Sequence, residues 1–128
     1  MELGIKGHAE VDVVRGNTAA AVGSGALEVF STPSMVALME KAALSSVQPY
    51  LDEGQGTVGT RLEISHLAAS PIGAHITAES VLVGIDRRML TFEVKAYADG
   101  ELIGEGMHQR CIIMNDRFME KALAKLNK

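Results

Sequence analysis

The sequence predicts an α+β domain in which one long helix is wrapped by a curved antiparallel sheet. Three observations predict it. A single apolar helical stretch opens at Thr32-Pro33 and is closed by Pro49 and the "DEGQG" cluster. From Thr57 onward the apolar period switches to strict alternation and holds through four successive segments. Asp99-Gly100 then joins the last two of these as a tight hairpin. Strands grouped after a helix, instead of alternating with helices, favour an antiparallel sheet over parallel βαβ units.

The elements follow in order. "AEVDVV" (9–14) alternates as a short strand, and a second short strand is expected near Leu27 to Phe30. The helix runs from Pro33 to about Gln48, with Thr32 at the N-cap position before the proline. At 100° per residue Ser34, Lys41, Ser45 and Gln48 form one narrow polar arc. Val36, Ala37, Met39, Ala43, Leu44 and Val47 fill most of the rest. A helix apolar over most of its circumference is expected to be largely buried, which puts it at the centre of the sheet. "TVGTRLEISHLA" places Val58, Thr60, Leu62, Ile64 and His66 on one strand face. Residues 73–85 and 88–98 follow as strands, with Leu90, Phe92, Val94 and Ala96 pointing one way in the second. "ELIGEGMHQRCIIM" is the last strand, and residues 116–127 read as a short amphipathic C-terminal helix.

Composition bounds the function. The 128 residues are 47% apolar and 22% charged, those of one ordinary globular domain spanning 1–128 without repeats or linkers. Aromatics are only 4%, with no Trp, so aliphatic residues, Met and Ala must fill the core. A net charge of -4 argues against nucleic acid as a partner, which needs a basic face. No apolar run is long enough for a membrane span, and the N-terminal residues lack the pattern of a signal peptide. The lone Cys111 excludes an internal disulfide and fits a reducing, cytoplasmic setting. His8, His66, His75 and His108 include no pair at a metal-binding helical spacing, so no metal site is expected.

Five residues stand out as candidates for chemistry. Glu40 falls inside the apolar arc of the helix, where an unpaired carboxylate is expensive; it must be paired, protonated or functional. Thr32 serves as an ordinary cap, yet it also sets a hydroxyl at the positive end of the helix. A hydroxyl nucleophile needs a base within hydrogen-bond reach, and Glu40 lies about two turns further on. His66 ends its strand beside the small-residue loop "LAASPIG", a position suited to proton transfer near neutral pH. Gly59 marks a bend or bulge, or a place where a ligand approaches the backbone. Arg110 in the final strand is either a paired charge or an anion-binding group. Arg87 and Arg88 sit at a turn as solvated charges, and neither "GSG" nor "GQG" leads into a phosphate-binding GK[ST] helix.

Taken in order, "STPSMVALMEKAA", "EGQGTVGTRLEISHLAASPIGAHITAES" and "GEGMHQR" resemble the hot-dog-fold thioesterases related to fluoroacetyl-CoA thioesterase, over about Gly16 to Ile113. The resemblance implies a hot-dog fold and hydrolysis of an acyl-CoA. It implies no metal and no cofactor beyond the CoA of the substrate. It also implies a homodimer, or a dimer of dimers, with active sites near the subunit interface. By position, Thr32, Glu40 and His66 match the family's catalytic residues. Gly59 matches the glycine near the reacting carbonyl, and Arg110 the arginine of that site. Either Thr32 or Glu40 attacks the thioester, or Glu40 and His66 activate water while Thr32 positions the substrate. The fluoroacetate-specific enzyme carries aromatic lid residues ahead of its helix. The aligned stretch here is "GSGALEV", with no aromatic before Phe30, so a short or medium acyl group is the expectation.

Two other readings make distinct demands. A non-catalytic acyl-CoA-binding protein on the same fold would keep Glu40 and His66 too far apart to cooperate. A hot-dog hydratase or dehydratase would pair a His with an acid across the site and have no need of Thr32.

Overall fold

A computed structural model describes residues 1–127. Its five strands are β1 (Lys6–Asp12), β2 (Gln55–His66), β3 (His75–Asp86), β4 (Met89–Ala98) and β5 (Glu101–Met114). They form one antiparallel sheet in the order β1-β3-β4-β5-β2. Helix α1 is a single turn (Ala19–Val22), α2 is the long helix (Thr32–Val47), and α3 (Asn115–Ala124) follows β5 directly. The hairpin between β4 and β5 turns through Asp99 (φ 48) and Gly100 (φ 90). Two successive positive φ values are what a two-residue turn matched to strand twist requires.

The core lies between α2 and the sheet. Met35, Leu38, Met39, Ala42, Ala43 and Val47 of the helix are buried. They meet Ile76, Ala78 and Leu82 of β3 and Leu90, Phe92, Val94 and Ala96 of β4. The alternation read in β4 is therefore the core face of the sheet. A fully buried Leu or Phe contributes about 1.5–3 kcal/mol, so this row anchors the fold.

Four local expectations are corrected. Ser31, not Thr32, caps α2: its side chain accepts from the Ser34 N–H at 3.1 Å, and Thr32 becomes the first helical residue. The strand expected near Leu27–Phe30 is reduced to isolated bridges, Phe30 to Thr18 and Val29 to Pro71. Segment 19–22 takes the preceding chain into a helical turn instead, capped by Thr18 and ended by Gly23 at φ 84. The alternation in β2 is broken by a bulge between Gly59 and Arg61, and β2 is an edge strand with residues 59–63 exposed. Finally, α2 is not covered around most of its girth. Ala37 and Leu44 are exposed, and Val36 and Glu40 only half-buried, leaving an apolar stripe centred on Glu40.

Candidate active site

The candidate residues assemble into two separate groups on one chain. The first is at the start of α2. Because Ser31 takes the capping role, the Thr32 hydroxyl is free, and it lies 2.7 Å from Nδ1 of His66 at the end of β2. The chain beyond His66 is pinned by Leu67 N–H donating to the Ile103 carbonyl at 2.7 Å, which fixes the ring relative to the sheet. Burial pushes the His66 pKa below its ordinary 6.5, partly offset by the Ala68 backbone. That shift favours the neutral imidazole, the form whose Nδ1 can accept the Thr32 proton. Its Nε2 is buried and completes no hydrogen bond among the described residues. A cleft of about 320 Å³ opens beside this pair, walled by Ala19, Val29, Phe30, Leu67 and Ala69 with Ser24 as a polar member.

The second group is built around Arg110 of β5. Its Nε donates to Thr57 Oγ1 at 2.8 Å and its Nη2 to the Thr57 carbonyl at 3.0 Å. Nη1 donates to Glu40 Oε2 at 3.3 Å and to Nε2 of His108 at 3.1 Å. His108 is fully buried, and its Nδ1 lies 2.8 Å from the Arg61 carbonyl at the β2 bulge. Gly59 completes the group: a Cβ there would stand 2.5 Å from Glu40 Oε2, so only glycine admits the carboxylate at this place. Burial lowers the Arg110 pKa, while Glu40 opposes that shift.

The structure therefore joins Thr32 to His66, and Glu40 to Gly59 and Arg110, but it does not bring the two groups together. Eight residues of helix separate Thr32 from Glu40, roughly 12 Å of axis. Among the described residues no hydrogen bond or ion pair links Glu40 to Thr32 or His66. Two members, His108 and Thr57, were not singled out from the sequence. His108 shares strand parity with Arg110, two residues away, and that spacing was the available signal. Among the described residues no cluster of three or more His, Cys, Asp or Glu is arranged to hold a metal, and no helix is long and apolar enough to cross a membrane.

The architecture of one long helix against a five-stranded antiparallel sheet is shared with a hot-dog-like protein from Thermanaerovibrio acidaminovorans. That match has a TM-score of 0.88 over 98% of this chain and 93% of the other, at 21% identity. Closer in sequence is the fluoroacetyl-CoA thioesterase of Streptantibioticus cattleyicolor. It is 38% identical over 98 residues, 77% of this chain and 70% of the relative. A solved structure of the fluoroacetyl-CoA thioesterase FlK superposes with a TM-score of 0.91 at 31% identity, over 98% of this chain and 97% of the other. Residues 13–116 match the family described as FlK, fluoroacetyl-CoA-specific thioesterase. The chain belongs to that family.

Proposed function

We propose that this protein hydrolyses acyl-CoA thioesters as a homodimer in which each active site takes one residue group from each protomer. Thr32 and His66 of one chain would face Glu40, Gly59 and Arg110 of its partner. The observation that carries the reading is His66 Nε2. With Nδ1 accepting from Thr32, Nε2 bears the proton, and a buried N–H without an acceptor is costly. The partner's Glu40 is the acceptor that would satisfy it, giving a hydroxyl–imidazole–carboxylate relay.

Two surfaces support such a pairing. β2 presents an unpaired edge with residues 59–63 exposed, a template for antiparallel extension by a second copy. A two-fold axis between Leu62 and Glu63 would set His66 opposite the partner's Gly59. The uncovered Val36–Glu40–Leu44 stripe of α2 flanks the same edge. The separation of Glu40 from His66 within one chain, which a non-catalytic protein would also display, is then a feature of the protomer and not of the site.

In the proposed reaction neutral His66 takes the Thr32 proton as Oγ1 attacks the thioester carbonyl. Gly59 admits the Glu40 carboxylate to the site, and Arg110 supplies positive charge near the developing oxyanion. The CoA thiolate departs with the proton held by His66, and water then releases the acid by the same base. The adjoining cleft, about 320 Å³ in volume, has room for a short or medium acyl group. The reading calls for no metal and no cofactor besides the CoA of the substrate. Cys111, the sole cysteine, supports a cytoplasmic setting.

The test is free-thiol release across a panel of acyl-CoAs, with wild type and Glu40→Ala. Turnover of at least one short or medium acyl-CoA by wild type, strongly reduced in the variant, is expected. No hydrolysis of any acyl-CoA by wild type would overturn the reading. Trapping of an acyl-enzyme in a single turnover separates Thr32 attack from activation of water.

A further inference from the structure

His108 has no place in the relay above, yet its side chain is fully enclosed, with no solvent exposure. Its ring stacks on Phe92 of β4 at a centroid distance of 6.2 Å, in a position where an apolar residue would pack without a polar penalty. Its two nitrogens have fixed and opposite tasks. The Arg61 carbonyl can only accept, so Nδ1 must carry the proton; Arg110 Nη1 can only donate, so Nε2 must be bare. The surroundings thus select one neutral tautomer. A second proton would turn an N–H against the guanidinium at 3.1 Å.

Arg110 needs this acceptor. Thr57 holds its Nε and Nη2, and these two bonds leave Nη1 to be shared between Glu40 and His108. The Glu40 carboxylate is itself 35% exposed and held by a single 3.3 Å bond, so its aim depends on where Nη1 stands. The bulge after Gly59 leaves the Arg61 carbonyl facing the ring, which makes β2, β5 and α2 meet at His108.

We propose that His108 is a positioning residue for the thioester hydrolysis: its bare Nε2 holds Arg110 Nη1, and through that group sets the direction of the Glu40 carboxylate. The inference rests on the hydrolase reading above and adds a residue to it. It acts through Arg110 and touches no substrate.

The experiment compares His108→Leu, His108→Gln and His108→Asn in the full chain, reading kcat and KM for the best acyl-CoA together with thermal stability. Leu removes the acceptor and is expected to lower kcat by about 10- to 100-fold with KM changed far less, as a misaimed catalytic group does. Gln reaches the Nε2 position with its carbonyl oxygen and is expected to regain most of kcat. Asn reproduces only the Nδ1 donor and is expected to stay as slow as Leu. If the Leu variant does not fold, the contrast between Gln and Asn carries the test. Equal kcat in Gln and Asn, or activity that merely follows thermal stability, overturns the positioning role. Absence of turnover in wild type overturns the hydrolase reading itself; turnover in wild type with kcat undiminished in a folded Leu variant overturns the role of His108 alone.

Discussion

The two residue groups differ in how completely they satisfy themselves. Around Arg110 the bonding is closed: Thr57, Glu40 and His108 take up the guanidinium, and the Arg61 carbonyl takes up the remaining His108 proton. Around Thr32 it is open, since the hydroxyl reaches His66 but the far nitrogen of that ring has no hydrogen-bond partner among the described residues. A self-satisfied group holds its geometry within one chain, while an open one needs an outside partner to relieve a buried polar atom. The fold therefore sets Glu40, held by the closed network, and Thr32, bonded to the incompletely satisfied His66, two turns apart on the same helix.

The sharpest way to break this comparison is complementation. Thr32→Ala disables the open group and Glu40→Ala the closed one, and each variant alone is expected to lose about 10²–10⁴-fold in kcat/KM. If a site draws one group from each protomer, mixing the two inactive proteins through dissociation and reassociation rebuilds one intact site per mixed dimer. Roughly a quarter of wild-type activity then returns in an equal mixture. A mixture as inactive as its components places both groups in one chain's site.

Gly59→Ala addresses the closed group alone. The new methyl would lie 2.5 Å from the Glu40 carboxylate and 3.2 Å from His108 Cε1. The carboxylate is the element able to move, so the fold is kept while the carboxylate is displaced. A loss of about 100-fold in kcat/KM with unaltered circular dichroism is expected. Activity close to wild type would mean that Glu40 works from a different position.

Much of the fold was legible because its signals are local. Leu90, Phe92, Val94 and Ala96 alternate over a strand whose one face is buried, and Asp99-Gly100 supplies the positive φ values of its turn. Thr32, Glu40, His66, Gly59 and Arg110 could likewise be singled out by residue type and place. Their grouping could not. Glu40 meets Arg110 across 70 positions, and the bulge that admits the carboxylate shifts the parity on which strand reasoning depends. The wheel also overstated the burial of α2, since it counts apolar residues without knowing how much of the helix the sheet covers. Ser31 and Thr32 illustrate the finest limit: both are good caps, and a one-residue shift decides which hydroxyl is left for His66.

That shift can be tested by stability. Ser31→Ala removes the bond to the Ser34 N–H and is expected to cost about 1 kcal/mol, seen as a lower Tm. Thr32→Ala, which deletes no cap, is expected to leave Tm nearly unchanged while abolishing turnover. The reverse pattern would return the capping role to Thr32.

The smallest effect separates the histidines of the site from one outside it. Burial lowers the pKa of both His66 and His108, so the folded state resists their protonation and loses stability as pH falls below the ordinary 6.5. His75, at the start of β3 beside the edge strand β1, behaves oppositely. Its Nδ1 lies 2.7 Å from Asp12, which raises its pKa, with Glu10 adding to the effect. The stability it contributes is complete below 6.5 and disappears as pH rises through the raised value. Asp12→Asn is therefore expected to lower Tm slightly at about pH 6 and not at about pH 8.5, the direction opposite to that of the buried pair. Because His75 and Asp12 are solvent-exposed, added salt should shrink the difference, whereas the acid sensitivity set by His66 and His108 should survive it. An Asp12→Asn effect that grows with pH would reverse the sign assigned to His75.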